Sequence, residues 1–93
     1  MLIPRFHLAF PVIDLESTRT FYTRVLGCTL GRESNKWIDF NLYGHQIVAH
    51  YSPEECTRSN KNKVDGDKVP SRHFGVILSW DRWEALCQKI KNQ

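Results

Sequence analysis

Phe6-His7-Leu8-Ala9-Phe10-Pro11-Val12 returns in altered form as Arg72-His73-Phe74-Gly75-Val76-Ile77-Leu78. Each run places one histidine near its start, then alternates large apolar residues with smaller ones. Each is followed within a few residues by a helix start, Asp14 in the first case and Ser79 or Asp81 in the second. From His7 to His73 the offset is 66 residues. Along the helices it is 65, with Phe21, Tyr22 and Val25 falling on Leu86, Cys87 and Ile90. Two copies are too few for a solenoid. They predict a pseudo-symmetric domain in which each half delivers one histidine.

A chain of 93 residues is large enough for one modest core and not for two. An apolar fraction of 41% with 25% charged residues is that of a globular domain rather than a disordered segment. The formal charge of +3 is mild, and the one basic cluster, Arg58 to Lys63, lies among Ser and Asn and reads as a solvated loop. No nucleic-acid partner is expected on that basis. No apolar run reaches membrane-spanning length, and no signal core is visible, so no membrane partner is expected either. Cys28, Cys56 and Cys87 are widely spaced and odd in number, which points to reduced thiols and a cytoplasmic setting.

Along the chain, Phe6, Leu8, Phe10 and Val12 share one face of a first strand, with His7, Ala9 and Pro11 on the other. Asp14 is placed to cap a helix from Leu15 to about Val25, ended by Gly27. A strand from Cys28 to Glu33, a turn at Ser34-Asn35-Lys36 and a strand from Trp37 to Tyr43 follow. In the last of these Ile38, Phe40 and Leu42 oppose Trp37, Asp39, Asn41 and Tyr43. After Gly44, a fourth strand from His45 to Tyr51 sets Ile47, Ala49 and Tyr51 against Gln46, Val48 and His50. Residues 52–70 read as a long polar connection, the kind that serves as a lid or a linker. Residues 71–93 then begin a second unit: a strand carrying His73 and a helix from about Trp80 to Ile90, with Asp81 and Glu84 spaced as a capping box. The fold class is therefore α+β, with residues 1–51 as a strand-helix-three-strand module and residues 71–93 as the strand and helix of an incomplete second one.

The runs His7-Leu8-Ala9-Phe10-Pro11-Val12 with Asp14, Phe21-Tyr22 and Val25-Leu26-Gly27 resemble the vicinal oxygen chelate superfamily. That group includes glyoxalases, bleomycin-resistance proteins, fosfomycin-resistance enzymes and extradiol dioxygenases. Trp37-Ile38-Asp39-Phe40 before Gly44, and Val69-Pro70 leading into His73-Phe74-Gly75-Val76, extend the resemblance over nearly the whole chain. It implies two paired modules forming a curved mixed sheet that cups a divalent metal such as Fe, Mn, Zn or Ni. Carried over to this sequence, the first-strand metal ligands are His7 and His73. The superfamily's usual Glu ligand lies on a last strand of the second module that has no counterpart here, so the chain resembles a truncated member.

His50, on the cavity-side parity of its strand, is read either as a third ligand or as a polar residue on a wet face. Asp39 is either the group that fixes a histidine tautomer or a solvated carboxylate. Asn41 and Gln46 join them as pocket residues, and Trp37 and Tyr43 are expected to wall the cavity. No catalytic residue is assigned. One expectation is a glyoxalase- or dioxygenase-like protein in which a metal acts as Lewis acid on a small oxygen-chelating substrate. The other is a non-catalytic small-molecule or drug-binding protein of the same fold, favoured by the missing carboxylate strand. A folded remnant that does neither is a third. Because an incomplete second module leaves sheet edges unpaired, a homodimer is expected, by exchange of that segment between chains.

Overall fold

Alternation of apolar residues builds the sheet, and one helix closes it. The structure, a computed structural model, describes residues 3–57, 61–64, 67–70 and 72–93, with 61–64 and 67–70 described as backbone only. Strand β1 (His7–Val12) leads into helix α1 (Leu15–Thr20) and a π-helical turn (Phe21–Val25). Strands β2 (Thr29–Glu33), β3 (Trp37–Leu42) and β4 (His45–Tyr51) follow as a meander. The four strands form one mixed sheet in the order β1-β4-β3-β2. β4 runs parallel to β1 and antiparallel to β3. A short helix α2 (Pro53–Cys56), a two-stranded hairpin of β5 (Lys61–Val64) and β6 (Asp67–Pro70), and helix α3 (Trp80–Lys91) complete the described chain.

Local chemistry accounts for the first helix. Asp14 has extended backbone and its carboxylate accepts from the N–H groups of Glu16 and Ser17, satisfying donors that an uncapped first turn leaves open. At the other end the helix widens: Leu26 N–H donates to Phe21 C=O at 3.1 Å, a five-residue closure. Such a bulge rotates the side chains that follow it relative to a regular helix. Here Val25 is buried while Tyr22 and Leu26 are half-buried. Gly27 ends the segment at φ 77°, a left-handed conformation that costs glycine nothing.

The core lies between this helix and the sheet. Ile38, Phe40 and Ala49 are at most 1% exposed and Ile47 is 2% exposed, with Leu8, Phe10, Val12, Leu15, Tyr22 and Leu26 packed around them. These are the apolar sets that the alternation predicts. Arg19 bridges Glu16 at 2.7 Å and Glu33 on β2 at 2.6 Å, an exposed pair of contacts of the kind that contributes at most about 1 kcal/mol.

Three expectations are corrected. Pro53–Cys56 form a short helix, and Lys61–Val64 pairs with Asp67–Pro70, where a long polar connecting loop is expected. Arg72–Leu78, expected as a strand, carries no regular secondary structure. A strand needs a partner for its backbone groups, and among the described residues none pairs with it. Helix α3 starts at Trp80 as expected, but of the two offered caps it takes Ser79, so Asp81 lies inside the first turn and the box at Asp81 and Glu84 fails.

The two helices of the internal repeat differ in what they cover. Val25 is 7% exposed, whereas its counterpart Ile90 is 44% exposed, and α3 has no buried residue. The same apolar pattern is satisfied only where a sheet lies beneath it. Truncating Ile38 to Val is therefore expected to cost about 0.5–1.5 kcal/mol, while the larger truncation Ile90→Ala stays within about 0.5 kcal/mol. Urea unfolding of both variants checks this; a larger loss for Ile90→Ala would show that α3 is covered in solution.

Candidate functional site

The sheet face turned away from α1 carries the polar residues. β1 contributes His7, Ala9 and Pro11; β4 contributes Gln46, Val48 and His50; β3 contributes Trp37, Asp39 and Asn41. Register sets their order: His7 pairs with Gln46 across the parallel ladder, and Gln46 pairs with Asn41 across the antiparallel one. Asp39 lies opposite Val48, and Trp37 opposite His50. The pairing thus brings a residue near the chain start beside one 39 positions later.

A polar chain runs across this face. His7 Nδ1 and Gln46 Oε1 are 2.8 Å apart. The Gln46 side-chain amide donates to Asp39 Oδ2 at 3.3 Å. Arg32 Nε lies 3.7 Å from the same carboxylate oxygen, and its guanidinium sits 5.8 Å from the centre of the Trp37 ring. Asp39 is only 7% exposed, and a carboxylate so placed requires polar partners. Gly31 permits the approach of β2: a Cβ there would stand 3.1 Å from Asp39 Cβ.

The expected site residues divide into those this face gathers and those it does not. His7, Gln46 and Asp39 are joined, with Asn41 and Trp37 on the same face. His50 pairs with Pro11, four residues along β1 from His7, or about 13 Å at the usual rise per residue. Those two imidazoles do not meet at one ion. His73 lies in Arg72–Ser79 and borders a groove beside β1. Tyr43 is not a strand residue. It occupies the β3–β4 turn at φ 51°, followed by Gly44 at φ 89°, two left-handed residues that suit a tight hairpin. There its ring borders the groove and carries Arg82 of α3 at 4.9 Å. Arg32 is the participant that sequence reasoning missed, because the register irregularity between Leu30 and Glu33 hides its parity.

The groove occupies about 1000 Å³ along the β1 edge of the four-stranded sheet. Phe10, Tyr22, Phe74, Val76 and Leu86 supply apolar wall, and Ala9 and Pro11 continue it toward the polar face. Phe10 connects it to the core, with ring centres 5.1 Å from Phe74 and 5.6 Å from Tyr22. Tyr22 in turn stacks on Phe40 at 5.1 Å. For a divalent metal the donor set does not fit: among the described residues no three His, Cys, Asp or Glu side chains are grouped to hold one.

A parallel strand, a helix and a three-stranded meander, repeated in part, define a βαβββ module of the glyoxalase type. The family model for the Glyoxalase/Bleomycin resistance protein/Dioxygenase superfamily matches residues 6–93, and the chain belongs to that superfamily. A glyoxalase/bleomycin resistance protein/dioxygenase structure from Alicyclobacillus acidocaldarius is 30% identical, with a TM-score of 0.71 over 96% of this chain and 62% of that one. The fosfomycin resistance protein FosX from Listeria monocytogenes is 15% identical, with a TM-score of 0.69 over 99% of this chain and 67% of that one. A second FosX structure, complexed with Mn(II) and sulfate, is 17% identical, with a TM-score of 0.67 over 99% and 65%. The chain therefore spans about two thirds of these structures or less. No curated protein matches it. Among the described residues no helix is long and apolar enough to cross a membrane.

Burial at the groove's inner wall gives a pH signature. Burial pushes the Tyr22 hydroxyl above its ordinary pKa, with the neighbouring Cys28 adding to the shift, and burial raises the Cys28 thiol as well. For an acid whose folded pKa is raised, the stabilisation is complete below the unfolded pKa and is lost as pH rises through the folded one. Stability should thus decline above about pH 9, where unfolded thiols and then phenols ionise. In Tyr22→Phe the decline above about pH 10 should be shallower. Urea midpoints measured from pH 7 to 11 test the difference; parallel curves for the two proteins would remove Tyr22 from the effect.

Proposed function

We propose that the protein binds a small molecule with a polar, oxygen-bearing end and an apolar or aromatic body. The polar end meets His7, Gln46 and Asp39, and the body enters the groove along β1. The observation that carries this is the groove itself. At about 1000 Å³ it stands at the upper end of the range for drug-sized ligands, and it has the mixture of apolar wall and few polar groups that such sites share. Ala9 and Pro11 belong both to the groove lining and to the face of His7, so one ligand can span the two. The reading agrees with a bleomycin-resistance type of activity, in which a compound is held rather than transformed.

A second reading is metal-assisted chemistry of the glyoxalase or dioxygenase kind, with His7 and His73 as ligands. It is favoured by the Mn(II) in the FosX structure and by superfamily membership. Within the described residues it lacks a third donor, so further groups, from a second chain or from outside those residues, would have to complete the shell. No step is assigned to a metal on this geometry.

Binding of an anilinonaphthalene sulfonate dye, followed by fluorescence, separates the two. In the first reading the dye binds with or without a chelator, and Phe74→Asp weakens it tenfold or more while the fold persists. Dye binding that is indifferent to Phe74→Asp would place the site elsewhere. Calorimetric titration with Mn(II) and Zn(II), lost in both His7→Ala and His73→Ala, would instead establish the metal-dependent reading.

Association of two chains is the companion proposal. Phe74 and Val76 are about two-fifths exposed and Ile77 fully so, with Trp80 and Trp83 of α3 stacked at 5.1 Å beside them. A second copy that covered this strip would bury apolar surface that a lone chain leaves in water. Sedimentation should give a dimer that Ile77→Asp shifts to monomer; a folded parent monomer at all concentrations would dispose of it.

A further inference from the structure

The polar chain on the open sheet face fixes more than position. We infer that Asp39 and Gln46 act together as positioning residues that hold His7 in its Nδ1–H tautomer. The ring nitrogen Nε2 is then left with a lone pair for a hydroxyl or N–H donor of the ligand. The argument begins at Asp39. Its carboxylate carries no donor, and the Arg32 guanidinium 3.7 Å from Oδ2 supplies positive charge on the same side. An acceptor-only group can meet only the NH2 end of a side-chain amide. Gln46 therefore turns its nitrogen to Asp39, at 3.3 Å, and its oxygen to His7 Nδ1, at 2.8 Å. An amide oxygen is itself acceptor-only, so Nδ1 must carry the hydrogen. In a neutral imidazole the remaining nitrogen is the acceptor.

The direction of the chain is set at its buried end and read at its exposed end. Asp39 is 7% exposed and Gln46 half-buried, whereas His7 is exposed. Solvent can reach the ring, yet the choice between its nitrogens is made by a carboxylate that solvent scarcely touches. Among the described residues no hydrogen bond engages Nε2. The class of ligand follows: a group that donates, such as an alcohol, an acid O–H or an amide N–H. A bare carboxylate or phosphate oxygen, which offers only acceptors, would be refused at this nitrogen while the ring is neutral. Asn41, one strand over at the Gln46 register position, turns its side-chain oxygen to the Gly44 N–H at 2.8 Å.

The inference rests on reading this face as the ligand's polar end, but its test needs no ligand and so can fail separately. Nitrogen NMR of the two His7 ring positions, recorded at an alkaline pH where the ring is neutral, distinguishes an N–H from a lone-pair nitrogen directly. The parent protein should show Nδ1 protonated and Nε2 bare. Asp39→Leu removes the acceptor that orients Gln46, so both resonances should move toward averaged positions. Adding Gln46→Glu to that variant restores an acceptor-only partner and should return the parent pattern. Amide fingerprint spectra confirm that each variant is folded. A bare Nδ1 in the parent, or ring shifts unchanged by Asp39→Leu, would overturn the inference. A parent pattern as expected with no dye binding would instead leave the tautomer standing and discard the small-molecule reading.

Discussion

The stack of Tyr22 on Phe40, with Ile38, Ile47 and Ala49 beneath it, is the contact on which the rest of the molecule depends. Phe40, Ile38, Ile47 and Ala49 exclude water almost wholly, with Tyr22 half-buried against them, and these four come from the alternating patterns of β3 and β4. A strand that buries one face has no freedom to slip by a residue, since a slip would turn every apolar side chain outward. The core therefore decides the register of β3 against β4 and of β4 against β1. Through that register it decides that Gln46 stands between His7 and Asn41, with Asp39 one strand over. The polar face is a by-product of apolar packing on the other side.

Much of this was legible beforehand. In β3 and β4 the alternation named Ile38, Phe40, Leu42, Ile47 and Ala49 as buried, while it left Val48 and Asp39 on the other face and counted exposed Tyr51 with the core; the capping carboxylate of Asp14 marked the helix start. What escaped was whatever depends on a partner rather than on a pattern. Arg72-His73-Phe74-Gly75-Val76-Ile77-Leu78 alternates nearly as β1 does, yet it forms no strand, because hydrogen bonds in a sheet need a second chain segment. Tyr43 continues the alternation of β3 by identity and leaves it by conformation; a bulky residue at positive φ is unusual and gives no local warning. The β5–β6 hairpin was missed for the opposite reason, since Lys61-Asn62-Lys63-Val64 and Asp67-Lys68-Val69-Pro70 hold no apolar period to read.

The site was legible in its membership and not in its geometry. Gln46 and Asp39 were candidates from strand parity, and His7 from the repeated histidine strand and the family resemblance. That Gln46 would lie between the other two required the pairing of β1 with β4, and that His50 would be remote from His7 required the same pairing. Arg32 was obscured by the irregularity in β2. Membership in the Glyoxalase/Bleomycin resistance protein/Dioxygenase superfamily accounts for the order of strands and helix. It does not say what His7 faces in this chain, and here that neighbour is an amide.

The parallel pairing of β1 with β4 also has a consequence for how the chain acquires its structure. Strands β2, β3 and β4 meet through short turns, so their contacts can form locally and fast. β1 cannot join until residue 46 is available, and closing so long a loop takes an entropic toll before any ladder bond rewards it. Docking of β1 is thus the natural late step, preceded by a meander with α1 searching for its place. During synthesis the first strand would wait, apolar face uncovered, until its partner has left the ribosome. Whatever shields Leu8, Phe10 and Val12 in that interval governs how much of the protein reaches the folded state.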